Sequence, residues 1–289
     1  VTITAKIVAD SISEQGIRLT TMQLRYPKFI HGEFMTHRVF SRNASSSRAI
    51  PVERLIQDII DDPAMFIFWG KNKPGMQASE ELDGEERETA IMRWLSARDI
   101  AAEWALSMHK LGVHKQIVNR IIEPWCHINV VVTATDWANF FALRLHKDAQ
   151  PEMRALAEAM WNAQELSTPT LLQQDEWHLP YCSDVHGKRC TAHSDDAIKV
   201  SVARCARVSY LTQEGKHPTI EDDLKLYERL VGSTPLHASP AEHQATPDHQ
   251  SPQGTVSACY VDWAKPTEHG NFHGWRQYRK MLLNENVED

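Results

Sequence analysis

FMTHRVFSRNASSSRAIP, residues 34–51, is the densest polar stretch in the chain. It sets Arg38, Arg42, Arg48, His37 and Asn43 beside the hydroxyls of Ser41, Ser45, Ser46 and Ser47. Its only large apolar residues are Phe34, Met35, Val39, Phe40 and Ile50. Three readings compete: an exposed basic loop, a phosphorylation target, or the wall of a site for an anionic ligand. Guanidinium forks interleaved with neutral hydroxyl and amide donors are what phosphate and ribose oxygens require, charge for the anion and neutral donors for orientation. A purely solvated loop has no use for Phe34, Val39 and Phe40, so the segment is expected to line a site.

Working outward, KFIHGEFMTHRVFS (28–41) reads as a helix. GIRLTTMQLRYP (16–27) alternates as a strand does and is expected to end at Tyr26, because Pro27 cannot donate to a ladder. TITAKIVA (2–9) reads as a further strand. Downstream, Pro51 opens a short helix, VERLIQDII, and FWGKNKPGMQA (68–78) is a loop punctuated by Gly and Pro. From Asp83 to Leu111, Ile91, Trp94, Ile100, Trp104, Met108 and Leu111 recur near the 3.6 period, with Gly112 as a stop. VHKQIVNRII, TDWANFFALRLH and QPEMRALAEAMWNAQEL read as three more helices. Residues 170–196 are irregular and polar. Arg204, Arg207 and Ser209 are expected near a strand or turn, followed by a helix, IEDDLKLYERLVG. STPLHASPAEHQATPDHQSPQG (233–254) reads as a flexible linker or surface loop. The fold class is therefore mixed α/β (α+β), helix-rich in the middle with strands near both termini.

Composition narrows the function. With 42% hydrophobic and 24% charged residues over 289 positions, the chain can bury a full core. A formal net charge of −7 argues against a dedicated nucleic-acid binder. No apolar run approaches a bilayer span. Val1 to Lys6 lack the charged and apolar regions of a signal peptide, and a start at Val1 rather than Met suggests that residues ahead of it were removed. Five irregularly spaced cysteines fit a reduced, cytoplasmic protein better than a disulfide scaffold. The chain has no GxGxxG after a strand, no phosphate-binding GxxxxGK[ST] loop and no HExxH. A nucleotide or flavin would have to be held by side chains.

Four segments are candidates for chemistry: the opening stretch, LHASPAEH (236–243), ARCARVSYLTQEGK, and the run from Asn119 to Arg154. In LHASPAEH, Ser239 and Glu242 have the spacing of a capping box, which leaves His237 and His243 unexplained. Arg120, Asn139 and Arg144 fall in stretches otherwise rich in apolar residues. Cys182, His186, Cys190 and His193 match no standard zinc spacing. Cys126 beside His127 faintly suggests a nucleophile, although buried cysteine is more often a small hydrophobe.

Together these segments resemble the flavin-dependent thymidylate synthase (ThyX) family. Its Arg-His-Arg triplet and the serine that follows correspond to Thr36, His37, Arg38, Asn43, Ser46 and Arg48. Ala206-Arg207-Val208-Ser209-Tyr210 looks like the family's ARVSF. His237, Ser239, Pro240, Glu242 and His243 look like its H-x-[ST]-P-F-E-H, and Asn139 to Arg144 like its N-F-L-x-L-R. Arg120 with Pro124 resembles R-x-x-L-P, with Glu123 in place of Leu. The order differs from the family's, since ARVSY and HASPAEH follow the triplet instead of preceding it. A circular permutation accounts for this, chain ends commonly lying close together at a surface. The tail GNFHGWRQYRKML would then lie beside the N-terminal strand.

The resemblance implies one catalytic domain over 1–289, with the triplet segment in 1–55, a helical section in 83–166 and the permuted segment in 197–289. It implies a homotetramer with flavin sites at subunit interfaces. The implied reaction converts dUMP to dTMP, with methylenetetrahydrofolate as carbon donor and FAD reduced by NADPH as hydride source, and no enzyme cysteine attacks the pyrimidine. Carried over, His37, Arg38, Asn139, Ser209, His237, Ser239 and Glu242 contact the flavin. Ser46, Ser47, Arg48, Arg120 and Arg144 hold the nucleotide, with Ser46, Arg48 and Arg120 catalytic and no metal. Thr36, Ala44, Glu33, Thr133 and Thr135 depart from the family pattern. The alternatives are hydroxymethylation of dUMP or dCMP on the same scaffold, and a non-catalytic nucleotide-binding relative.

Overall fold

Strands β1 (Thr4–Ser13) and β2 (Arg18–Pro27) pair antiparallel around a turn in which Gly16 takes φ +78, a conformation glycine adopts without a Cβ penalty. The computed structural model describes residues 2–182, 195–208, 218–233, 236–251 and 262–285. Next come a helical turn, α1 (His31–Phe34), strand β3 (Ser41–Ala44), α2 (Val52–Asp61) and the long α3 (Gly84–Lys110). A short α4 (Lys115–Val118), strand β4 (His127–Ala134), α5 (Ala138–Arg144), α6 (Pro151–Glu165) and β5 (Thr170–Leu172) complete the first layers. The C-terminal part adds α7 (Asp195–Arg207), α8 (Ile220–Val231), β6 (Ala245–Pro247) and β7 (Trp275–Gln277). The main sheet is mixed, in the order β3-β4-β2-β1-β5, with only β1 and β5 parallel.

Period-2 alternation gives this sheet two unlike faces. Met22, Leu24 and Tyr26 of β2 lie opposite Val132, Val130 and Ile128 of β4. With Phe140, Met153 and Met160 from α5 and α6 they form the main apolar core. The intervening residues, Thr21, Gln23 and Arg25 opposite Thr133, Val131 and Asn129, make the other face, which is largely polar. The C-terminal layer packs on that face: Tyr181, Cys205 and Val208 meet Val131, and the Tyr181 hydroxyl donates to Gln23 Oε1 at 3.1 Å. Towards His127 and Arg25 the cover is incomplete, and a cleft remains.

Several expectations are corrected. The stretch 28–41 is not one helix: a 3-10 turn, Lys28–Ile30, and α1 give way before β3. Tertiary packing decides this, because Phe34 and Phe40 are both buried beside Phe140, at 6.1 and 5.3 Å between ring centroids. Val39, by contrast, is exposed. Strand β4 was not anticipated; its β-branched run crosses the middle of the sheet. Within 113–122 the α-helix spans only α4. Arg204 and Arg207 sit in helix α7, whose end turns at Val208 beside strands β3 and β4. The described part of 233–254 is no surface linker, since His243, Gln244 and Ala245 are fully buried. The tail strand β7 pairs with β6, and reaches the N-terminal hairpin through Trp275 Nε1 donating to the Ile17 carbonyl at 3.1 Å.

Candidate active site

Asn43, in the edge strand β3, joins three of the sequence segments. Its side-chain nitrogen donates to the Cys205 carbonyl at 2.8 Å, satisfying one of the last carbonyls of α7. Its Oδ1 accepts from Ser239 Oγ at 3.3 Å. Around this junction lies a cleft of about 520 Å³, bordered by Ser46 and Ser45 after β3, Arg54 and Asp58 of α2, Arg207, and the segment carrying His237 and Ser239. Ser46, His237 and Ser239 thus border one cleft.

The Ser46–Arg48 turn is held from behind. Asn119, buried at the end of α4, donates to the Ser47 and Ile50 carbonyls at 2.7 and 3.0 Å, and Lys115 Nζ donates to the Ala49 carbonyl at 2.8 Å. Arg48 projects outward, its Nε 3.4 Å from Ser46 Oγ. Ser47 turns away from the cleft and donates to Glu123 Oε1 at 2.7 Å. Glu123 also pairs with Lys28 and, at 3.1 Å, with Arg120. Burial pushes its carboxyl up, but the hydrogen bonds from Lys28 and Ser47 prevail and hold it below the usual range. Arg120 and Ser47 therefore meet at one carboxylate, and neither borders the cleft.

The remaining cationic residues form a second cluster. Arg144 Nε donates to His37 Nε2 at 2.9 Å, which places the ring proton on Nδ1. Burial, followed by the charges of Arg144 and Arg42, keeps this imidazole below its ordinary value and therefore neutral. Arg144 also reaches Thr36 Oγ1 at 3.4 Å and Glu33 at 3.7 Å. The carboxylate that departs from the family pattern is thus balanced by an arginine. His37 packs edge-on against Phe140 at 4.9 Å. The flanking Arg38 and Asn139 are exposed, and neither side chain has a partner among the described residues. A cation and an amide, both free beside a fixed neutral imidazole, fit an anionic cofactor such as a flavin dinucleotide.

Other expectations are corrected or fall outside the described residues. Ser239 and Glu242 do not form a capping box: the 3-10 turn Ser239–Glu242 has Ala238 at its N-cap and no side-chain cap. Glu242 instead pairs with Arg279, and so is not turned into the cleft. Ser209 lies outside the described residues, as do His186, Cys190 and His193 of the zinc candidate. Among the described residues no group of three or more His, Cys, Asp or Glu is placed to hold a metal ion. Cys126 is buried, and burial pushes its thiol up to about 12, the reverse of an activated nucleophile.

Thr133 is fully buried. It belongs to a buried chain in which His243 Nδ1, Thr133 Oγ1, Thr21 Oγ1, His178 Nε2, His178 Nδ1 and Ser11 Oγ follow at contacts of 2.7–2.8 Å. His243 Nε2 has no hydrogen-bond partner among the described residues. The proton therefore belongs on Nδ1, because an N–H on Nε2 would be buried without an acceptor. The bonds then run in one direction, from His243 through both threonines to His178 and Ser11.

Sequence reading missed Asn119, Asn129, Arg54 and Asp58. Asn129 could have been found from the odd-numbered polar positions of INVVVTA, had that run been read as a strand.

The family model described as Thy1, thymidylate synthase complementing protein, matches residues 18–170. No curated protein sequence matches the chain. Among the solved structures similar to it are two crystal structures of the UMP/dUMP methylase PolB from Streptomyces cacaoi. The one bound with 5-Br UMP has a TM-score of 0.45 and 18% identity, covering 56% of this chain and 88% of that one. The one bound with 5-Br dUMP has a TM-score of 0.45 and 17% identity, covering 56% and 90%. No helix among the described residues is long and apolar enough to cross a membrane.

Proposed function

The chain belongs to the Thy1 family of thymidylate synthase complementing proteins, and from that premise we propose that it transfers a one-carbon unit to the pyrimidine ring of dUMP. The carbon donor is methylenetetrahydrofolate. FAD, reduced by NADPH, supplies the hydride that makes the product dTMP. The chain acts as one catalytic unit, in the cytoplasm and as a homotetramer. The observation that carries the reading is the Asn43 junction, which unites three motifs from distant parts of the sequence at one cleft. Arg48 and Ser46 hold the nucleotide phosphate at its mouth. Arg38 and Asn139 hold the cofactor, and Arg144 keeps the neutral His37 ring in position against it. Ser47 and Arg120 act through Glu123, shaping the phosphate turn.

A second reading is favoured by Thr133 and Thr36. Thr133 is fully buried and committed to the histidine chain, and the Thr36 hydroxyl is engaged by Arg144. Fewer groups are then left for a flavin than the family pattern provides, and hydroxymethylation of dUMP or dCMP, with water in place of the hydride, uses the same nucleotide wall.

Incubation of dUMP with methylenetetrahydrofolate, with and without FAD and NADPH, followed by product mass, separates the two. A methyl product that depends on both cofactors supports the first, and a hydroxymethyl product indifferent to them supports the second. No product under either condition sinks both. Arg48→Ala should weaken dUMP binding by roughly 10- to 150-fold, the loss of one charge-assisted contact of about 1.5–3 kcal/mol. Unchanged affinity would remove the phosphate from this turn.

A further inference from the structure

Residues 45–51 join the edge strand β3 to α2, and Ser46, Ala49 and Ile50 of this connection border the cleft. Arg48 leaves it with little support of its own. The side chain is exposed, and its Nε lies 3.4 Å from Ser46 Oγ. A long arginine held so loosely has rotamer freedom to lose when it meets an anion, so its affinity depends on how firmly the backbone beneath it is fixed.

That backbone is fixed from outside the cleft. Asn119, the C-cap of α4, is buried and does not border the cleft. Its carboxamide nitrogen donates to the Ser47 and Ile50 carbonyls, and so spans Arg48. The two acceptors decide the orientation of the amide, because a flipped carboxamide would set oxygen against oxygen. Its Oδ1 is then left buried without a partner among the described residues, a cost that a merely space-filling residue would avoid. Nor is Asn119 free to drift: Val118 and Ile122 on either side of it are fully buried in the apolar cluster shared with α2 and α3. Lys115 adds a bond to the Ala49 carbonyl at 2.8 Å. Three carbonyls of the connection are thus tied to α4 and its cap.

We infer that Asn119 is a positioning residue for the nucleotide's phosphate: it holds the backbone of residues 47–50 so that Arg48 and Ser46 meet the anion already in place, and Lys115 assists it. This rests on the nucleotide reading above and adds to it a residue that touches neither the ligand nor the cleft. Asn119 is neutral and walled off, so it acts through position and not through charge. Its contribution passes through Arg48, and lasts only while Arg48 is there to be placed.

Calorimetric titration of dUMP into the full chain, Asn119→Leu, Arg48→Ala and the double variant tests this. Leucine nearly keeps the volume and removes both donors. Asn119→Leu should weaken dUMP binding by about tenfold at unchanged stoichiometry, the scale of ordering one long side chain that is no longer held ready. Adding Asn119→Leu to Arg48→Ala should cost less than about threefold further, because residues that act as one unit are not additive. A purely structural residue would lower the fraction of protein that binds and leave the affinity of the rest alone. Unchanged affinity in Asn119→Leu, or the same loss with and without Arg48, overturns the positioning role and leaves the nucleotide reading standing. If Asn119→Leu does not fold, Lys115→Met carries the same cycle through the Ala49 carbonyl, with a loss of about threefold expected beside Arg48 and none without it. No effect of Arg48→Ala, or no binding by the wild type, overturns both.

Discussion

Acidification should loosen the C-terminal layer from the sheet, and His243 sets the magnitude. The side chain is fully buried, its Nδ1 bonds Thr133, and its Nε2 has no partner among the described residues. Burial, and then the neighbouring His178, push the imidazole down to about 3. In the unfolded chain the same group titrates near 6.5. Between those values the unfolded chain binds a proton that the native protein refuses, so stability is complete above pH 6.5 and falls as pH drops towards 3. Over the 1.5 units from pH 6.5 to 5, at about 1.36 kcal/mol per unit, the loss from this one residue is ~2 kcal/mol. Urea unfolding followed by tryptophan fluorescence, at pH 7 and pH 5, on wild type and His243→Gln, reads it directly. Other titrating groups cancel in the difference between the proteins. The gap should shift by about 2 kcal/mol in favour of the glutamine variant on acidification. Parallel pH dependence in the two proteins would refute the reasoning, because it would mean that His243 accepts its proton in the native state.

Asp223 is wholly buried between Arg204 and Arg207, tying α8 to α7 at the back of the cleft. Asp223→Ala leaves two largely buried guanidinia without their carboxylate and should cost about 3–5 kcal/mol in denaturant unfolding; a loss below about 1 kcal/mol would show that water already screens the triad. Cys126→Ser should retain turnover of dUMP, since the thiol stays protonated at neutral pH and donates only to the Ile122 carbonyl at 3.3 Å. A folded but inactive Cys126→Ser enzyme would restore a covalent role for this cysteine.

Much of the architecture could be read along the chain because local patterning and tertiary packing agree there. The span from Asp83 to Leu111 became α3, with Gly112 at φ +86 past its end. Pro51 and Pro151 mark the starts of α2 and α6, where a missing N–H costs nothing. The polar run 34–51 was legible as a wall because hydroxyls and guanidinia mixed with phenyl rings have few other uses. Its division into α1, a turn and β3 was not legible, since burial of Phe34 and Phe40 against α5 overrides local propensity.

What the sequence determined by itself is the kind of chemistry present: which donors, which charges, and a family pattern in permuted order. Tertiary structure alone decided which of these donors remain available. Arg144, Ser47 and Glu242 satisfy other protein groups first, because a buried or half-buried polar or charged group takes the nearest partner that removes its desolvation cost. Among the described residues Arg38, Asn139 and Asn129 have no side-chain partner, and the last became visible only when β4 turned its odd-numbered residues onto the polar face of the sheet.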